Sequence, residues 1–269
     1  MTTLSALIHA PAKVGKTTLT TTAPLPILAL DAEGGWKYVR QVGYRSGVPL
    51  RRIEWDPLAG PPPRHDDTWD FCHVLIRQWA TLTHAYQYLA VPTYHDFQSV
   101  VIDSITEAQR KLKEKLKPNM EAMRIQDWGD LLVQMDRLIR GYRDLTLLPP
   151  PSTLRCILFI AETEMKDGMW RPAMQGQIGR TLPYWVDVCG YLFTTLGADA
   201  DGNNTVKQKQ LLIGEGVSPS IVAGERLQGA LPDIIDNPSI TQMMQQVFGD
   251  VVSPGATIGS DATPEVVSK

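Results

Sequence analysis

The sequence predicts an α/β domain built on a largely parallel sheet that helices cover on both faces. Two observations point there. Short apolar runs alternate along the chain with stretches whose apolar residues recur every three or four positions, the pattern of strands joined by crossover helices. The first run, Leu4 to Ile8, leads into Ala10-Pro11-Ala12-Lys13-Val14-Gly15-Lys16-Thr17. That is a phosphate-binding loop, in the form where alanine replaces the first glycine, and such loops join a buried strand to a helix.

The elements follow in order. Leu4, Ala6, Leu7 and Ile8 make the first strand, and Lys16 to Thr22 opens a helix. Pro26 to Asp31 is a second buried strand, and Leu50 to Trp55 a short one. Gly60 to Asp67 holds three consecutive prolines and two aspartates, so it is a loop. Trp69 to Leu89 has helical periodicity through Phe71, Leu75, Trp79, Leu82 and Tyr86. Phe97 to Asp103 is a third strand. Ile105, Ala108, Leu112 and Leu116 mark an amphipathic helix before Pro118. Trp128, Leu131, Met135, Leu138, Tyr142 and Leu145 mark a longer one, which Pro149-Pro150-Pro151 ends. Leu154 to Ala161 is a fourth strand, with Val186 to Thr195 and Val206 to Gly214 as fifth and sixth. The short links among these late strands suit antiparallel additions. From about Asp250 the chain is small and polar and reads as a flexible tail, which leaves residues 1–249 as one domain.

A chain of 269 residues, 43% hydrophobic and 20% charged, is long and apolar enough for one large core. No run approaches the ~18 apolar residues of a membrane span, and the N-terminus lacks a secretion signal. Cys72, Cys156 and Cys189 have no metal-ligand spacing, so a reduced, cytoplasmic chain is expected. His9 reads as a packed neighbour of the loop rather than a ligand. The net charge of −3 means that any nucleic-acid binding must use a local patch.

The loop sets the chemistry. The loop and helix start from Ala10 through Thr18 (Ala10, Pro11, Ala12, Lys13, Val14, Gly15, Lys16, Thr17 and Thr18) wrap phosphates, with the backbone N–H groups of all but Pro11 as donors. Lys16 neutralises the outer phosphates, and the Thr17 hydroxyl ligates Mg²⁺. Asp103 follows four apolar residues, as a Mg²⁺-associated aspartate should, with Ser104 beside it to support metal-bound waters; a helix cap is the other reading, and both can hold. Glu33, after the second strand, would polarise the attacking water from a position beside the first strand, or else be a solvated carboxylate before Gly34-Gly35. Glu162 and Glu164 end the fourth strand, where an acid can sense phosphate. Arg226 would reach a neighbouring subunit's nucleotide, or lie on the surface. Lys13 has no assigned role.

Together these residues resemble the RecA-like recombination ATPases, and among them the core-only phage single-strand-annealing recombinases of the Sak group. Leu30-Asp31-Ala32-Glu33 is similar to the strand that ends in the family's catalytic glutamate. Val100-Val101-Ile102-Asp103-Ser104 is similar to its Mg²⁺-aspartate strand. Phe159 to Lys166 resembles the strand ending in a γ-phosphate-sensing glutamine, with Glu162 in that place. Gly179 to Asp187 looks like the segment that re-enters the sheet, and Ala223 to Pro232 like a late Ala-Lys-Asp-Arg motif in which Glu225 departs. The match spans about residues 4 to 235. It implies a RecA-like P-loop core, ATP and Mg²⁺ as cofactors, and a catalytic set of Lys16, Glu33, Glu162 and Arg226.

The resemblance also implies single-stranded DNA as a partner, a ring- or filament-forming homo-oligomer, a single-strand-binding protein as a further partner, and the host cytoplasm of a phage as location. DNA would meet two loops. One lies near Lys113 to Trp128, where Arg110, Lys111, Lys113, Lys115, Lys117 and Arg124 cluster, although such runs are more often solvated helix faces. The other runs from Met165 to Gln177, with Lys166, Trp170 and Arg171 among glycines. The expected function is a DNA-dependent ATPase that promotes annealing or strand exchange. A P-loop kinase of a nucleotide or small molecule, and a non-catalytic nucleotide switch that recruits replication or recombination partners, remain the alternatives.

Overall fold

A computed structural model describes residues 2–39, 49–119, 122–198, 204–214 and 216–249. The expected tail lies outside them. The strands are β1 (Leu4–Ala10), β2 (Ile27–Asp31), β3 (Arg52–Glu54), β4 (Phe71–Leu75), β5 (Ser99–Asp103), β6 (Cys156–Lys166), β7 (Met169–Pro172), β8 (Val188–Ala198), β9 (Asn204–Leu212), β10 (Gly224–Glu225) and β11 (Ile234–Asp236). The helices are α1 (Lys16–Thr20), α2 (Trp79–Leu89), α3 (Ile105–Leu116), α4 (Ile125–Asp144), α5 (Ile178–Thr181) and α6 (Ile240–Phe248).

The strand order is β11-β9-β8-β1-β6-β5-β2-β4-β3. Every pair from β8 to β3 along this order is parallel, while β9 runs antiparallel to β8 and β11 antiparallel to β9. The mixed α/β core with antiparallel late strands is therefore present. The antiparallel part starts one strand later than expected, because β8 joins the parallel block beside β1.

Alternation along each strand feeds two cores. Leu4, Ala6, Ile8 and Ala10 of β1 pack with Ile27 and Ala29, Val101, and Leu158 and Ile160 on one face. That face is covered by Leu19, Trp36 and the Ile240, Met243 and Met244 stripe of α6. On the other face Leu7, Leu28, Leu30, Val100, Ile102, Ile157 and Phe159 meet Leu82, Leu112, Leu131, Met135 and Ile139 of α2, α3 and α4. Each fully buried aliphatic side chain contributes roughly 1.5–3 kcal/mol. A sheet buried on both faces explains why these strands read as unbroken apolar runs.

Two further expectations are corrected. Trp69 to Leu89 is not one helix: Phe71–Leu75 is β4, in parallel register with Ile27–Asp31 of β2, and the helix starts only at Trp79. Phe71 and Leu75 satisfied a helical spacing by coincidence, and pairing with an already buried strand overrides that local pattern. In addition β2 is not beside β1, since β6 and β5 lie between them.

Candidate nucleotide site

The register brings the carboxyl ends of β1, β2 and β5 to one level beside the middle of β6, which runs on to Lys166. Ala10 of β1 is beside Glu162 of β6, and Asp103 of β5 lies between Asp31 of β2 and Ile160 of β6. Ligands of open α/β sheets bind at this edge. From Ala10 the chain turns through Lys13 (φ 63°) and Gly15 (φ 106°) into α1. Gly15 permits a backbone conformation that side-chain-bearing residues rarely adopt. The Lys16 ammonium is buried and donates to the carbonyls of Ala10 and Pro11, both at 3.1 Å. The Thr17 hydroxyl donates to Asp103 Oδ2 at 2.7 Å.

Asp103 is 2% exposed, and burial pushes its carboxyl up to about 7. The Thr17 hydrogen bond and Lys16 oppose that shift, while the nearby Glu33 and Asp31 charges add to it. The peptide bond from Asp103 to Ser104 is cis. Ser104 does two things here: its hydroxyl accepts the Glu107 N–H at 3.2 Å to cap α3, and it donates to Glu33 Oε1. Glu33 is thus tied to the Asp103 strand although its own strand is β2. The loop after β2 also passes over the phosphate loop, since a Cβ on Gly35 would lie 3.4 Å from Thr17 Oγ1.

Asp31, to which the sequence alone assigns no role, shapes that loop. Fully buried, it accepts N–H bonds from Glu33 (3.1 Å), Gly34 (2.7 Å), Gly35 (3.3 Å) and Trp36 (3.1 Å). His73 Nε2 sits 3.1 Å from its second oxygen, and His73 Nδ1 sits 2.8 Å from Glu54. An aspartate three residues before Gly-Gly carries a turn signal. His73, 42 positions away, carries none. His9 is a packed neighbour: burial lowers its pKa to about 4, and its Nε2 donates to the Val222 carbonyl at 2.7 Å.

Other candidates lie apart. Glu162 and Glu164 do not end the fourth strand, because pairing with β7 carries β6 on to Lys166; the Glu162 backbone borders Ala10, but its carboxylate accepts from Arg110 at 3.2 Å, which joins β6 to α3. Glu164 accepts from Arg171 at 3.3 Å. Arg226 is exposed, and its N–H donates to the Asp187 carbonyl, whose own N–H donates to the Ser5 carbonyl. That is five strand positions, roughly 16 Å, from Ala10 at the amino end of β1. Glu225 accepts the N–H groups of Leu227 and Gly229, so it holds the turn that carries Arg226.

The expected second DNA loop is corrected: Met165 to Gln177 is largely the antiparallel β6–β7 hairpin, turned at Asp167-Gly168. The Trp170 N–H donates to the Ser220 carbonyl at 2.7 Å. Arg171 is 9% exposed and paired with Glu164 and Asp167, so it is not a free phosphate contact. Lys166 ends β6 on the exposed tip. The first basic cluster is also largely paired: Lys117 and Arg124 with Asp127, Lys111 with Glu107 and Glu114, and Lys115 with Gln134. Lys113 stands 5.3 Å over the Trp128 ring. Arg110 and Lys113 line two adjoining clefts, of about 430 Å³ toward Trp128 and about 380 Å³ toward Glu164 and Gln175.

Among the described residues no group of three or more His, Cys, Asp and Glu forms a metal cage, and no helix is long and apolar enough to cross a membrane. The Thr17 and Asp103 oxygens nevertheless fit Mg²⁺, which takes one or two protein oxygens and keeps its waters and substrate phosphates.

A family model described as an AAA domain matches residues 2–226. No curated protein matches the chain. Among solved structures, one match is to a prototypical ATPase from the type III secretion system of pathogenic bacteria. It is 15% identical, with a TM-score of 0.43, over 71% of this chain and 52% of that one. The aligned part thus spans about half of that ATPase's length.

Proposed function

The chain belongs to the AAA domain family, and from that premise we propose that it binds and hydrolyses ATP and couples the hydrolysis to single-stranded DNA, as a recombination protein that anneals or exchanges strands. The observation that carries the hydrolysis is the convergence of Thr17, Asp103, Ser104 and Glu33 at the mouth of the phosphate loop.

Each residue has a task. The loop N–H groups hold the phosphates, and Lys16 exchanges its two carbonyl partners for the outer phosphates. Thr17 and Asp103 would hold Mg²⁺, which when bound neutralises charge developing on the phosphate oxygens. Ser104 aims the Glu33 carboxylate, and Glu33 orients a water and accepts its proton. Arg226 is remote from its own phosphate loop, which favours service to a neighbouring copy in a ring or filament. Arg110 links Glu162 to the clefts it shares with Lys113. A change at Glu162 thereby reaches a basic surface, which favours coupling to DNA.

ATP turnover measured with and without single-stranded DNA tests this reading. Phosphate release stimulated by DNA is expected. Transfer of the γ-phosphate to a small acceptor instead of water would identify a kinase, and turnover indifferent to DNA would remove the recombination role.

A further inference from the structure

Beyond the phosphate loop itself, the geometry points to Lys209 as a second cation of the nucleotide site, one that binds the α- and β-phosphates of a nucleoside di- or triphosphate from the same chain. The inference rests on the nucleotide-binding reading above and adds a residue outside the loop motif. Lys209 lies on β9, opposite Thr194 of β8. In turn β8 runs parallel to β1, with Tyr191 beside His9. Thr194 is therefore three positions past the level of His9, and β1 ends one position past it, at Ala10. The β8–β9 ribbon overshoots the sheet edge and flanks the phosphate loop.

The side chain follows that course. A Cβ built on Gly15 would lie 2.6 Å from Lys209 Nζ and 3.0 Å from its Cε. The end of Lys209 thus lies against the one loop position without a side chain, and Gly15 serves this approach as well as its positive φ. The Asn237 N–H donates to the Lys209 carbonyl at 2.7 Å, which fixes the strand there from its other side. In a loop of this type the backbone cradles the α- and β-phosphates, while the loop lysine serves the β- and γ-phosphates. Gly15 belongs to the backbone cradle, so an ammonium beside it meets the phosphates that ATP and ADP share.

Equilibrium binding of fluorescent ADP and ATP tests this on the wild type, Lys209→Ala, Lys209→Met and Lys209→Arg. Loss of a charge-assisted contact should weaken ADP and ATP alike by about tenfold in the alanine and methionine variants. Lys209→Arg should recover most of the affinity. The methionine variant keeps the aliphatic stem, so its loss cannot come from packing alone. Affinities within twofold of wild type in both neutral variants would overturn the inference, as would loss of ATP binding with ADP binding intact. A wild type that binds neither nucleotide would instead overturn the functional reading on which it rests.

Discussion

Asp31 and His73 sit 3.1 Å apart at the carboxyl edge of the sheet, with Asp31 fully buried beneath the loop that carries Glu33. Four backbone N–H groups and one imidazole converge on its two oxygens. Removing that acceptor leaves buried donors without partners. Asp31→Ala should therefore destabilise the domain by about 3 kcal/mol and lower turnover as well, because the Glu33 loop loses its template. Urea denaturation checks the first effect and steady-state ATPase assays the second. An unchanged denaturation midpoint would show that the loop holds its shape without Asp31.

Glu33 itself is exposed and bonded to Ser104. Glu33→Gln keeps the size and the Ser104 contact but cannot accept a proton. Turnover should fall by about 100-fold or more, with nucleotide affinity and thermal stability unchanged. Isothermal titration with a slowly hydrolysed ATP analogue, beside a phosphate-release assay, separates the two. A parallel loss of affinity would mean that Glu33 binds rather than activates.

The Asp103 carboxyl gives a pH dependence of definite sign. Unfolded, it ionises near its ordinary 3.8; folded and without nucleotide, at about 7. Between these values the unfolded chain has released a proton that the folded chain retains, so stability falls as pH rises. The penalty is absent below about 4 and complete above about 7, on the order of a few kcal/mol. Asp103→Asn should stabilise the nucleotide-free protein at pH 8, leave it nearly unchanged at pH 4, and abolish Mg²⁺-dependent turnover. Urea melts of both proteins across that range provide the check.

The first core and the phosphate loop were legible because the physics is local. An apolar run followed by a glycine- and lysine-bearing loop needs no distant partner to be read, and the Thr17 and Asp103 pairing follows once two strands end at one edge. What escaped were interactions that only the register creates. The helical spacing of Phe71 and Leu75 gave no hint that β2 would take that segment as a neighbour. His73 and Lys209 touch the site from 42 positions and from a hairpin overshoot. The basic run near α3 was visible, but its acidic partners Glu107, Glu114 and Asp127 decide how much net charge that surface carries.

Arg110, ion-paired with Glu107 and Glu162, and Lys113, which stands over the Trp128 ring, line both clefts beside α3. If single-stranded DNA lies there, the double variant Arg110→Ala with Lys113→Ala should bind an oligonucleotide more weakly whatever its sequence. The slope of log affinity against log salt should flatten by about 1.4, two phosphate contacts at ~0.7 each. Fluorescence anisotropy at several salt concentrations measures this, and an unchanged slope would move the DNA path elsewhere.

Arg226 carries the assembly prediction. Its backbone is anchored to Asp187 at the amino end of the parallel strands, whereas the phosphate loop leaves β1 at the carboxyl end. Within one chain the guanidinium does not reach the phosphates, so a catalytic Arg226 must act on a neighbour. Arg226→Ala and Glu33→Gln should each be inactive alone. Mixed in equal amounts, they should recover up to about a quarter of wild-type turnover, because in a head-to-tail assembly one interface in four joins an intact Glu33 to an intact Arg226. The arginine variant should bind nucleotide normally. A mixture no more active than its parts, from proteins that co-assemble by light scattering, would leave Arg226 as a surface residue held in its turn by Glu225.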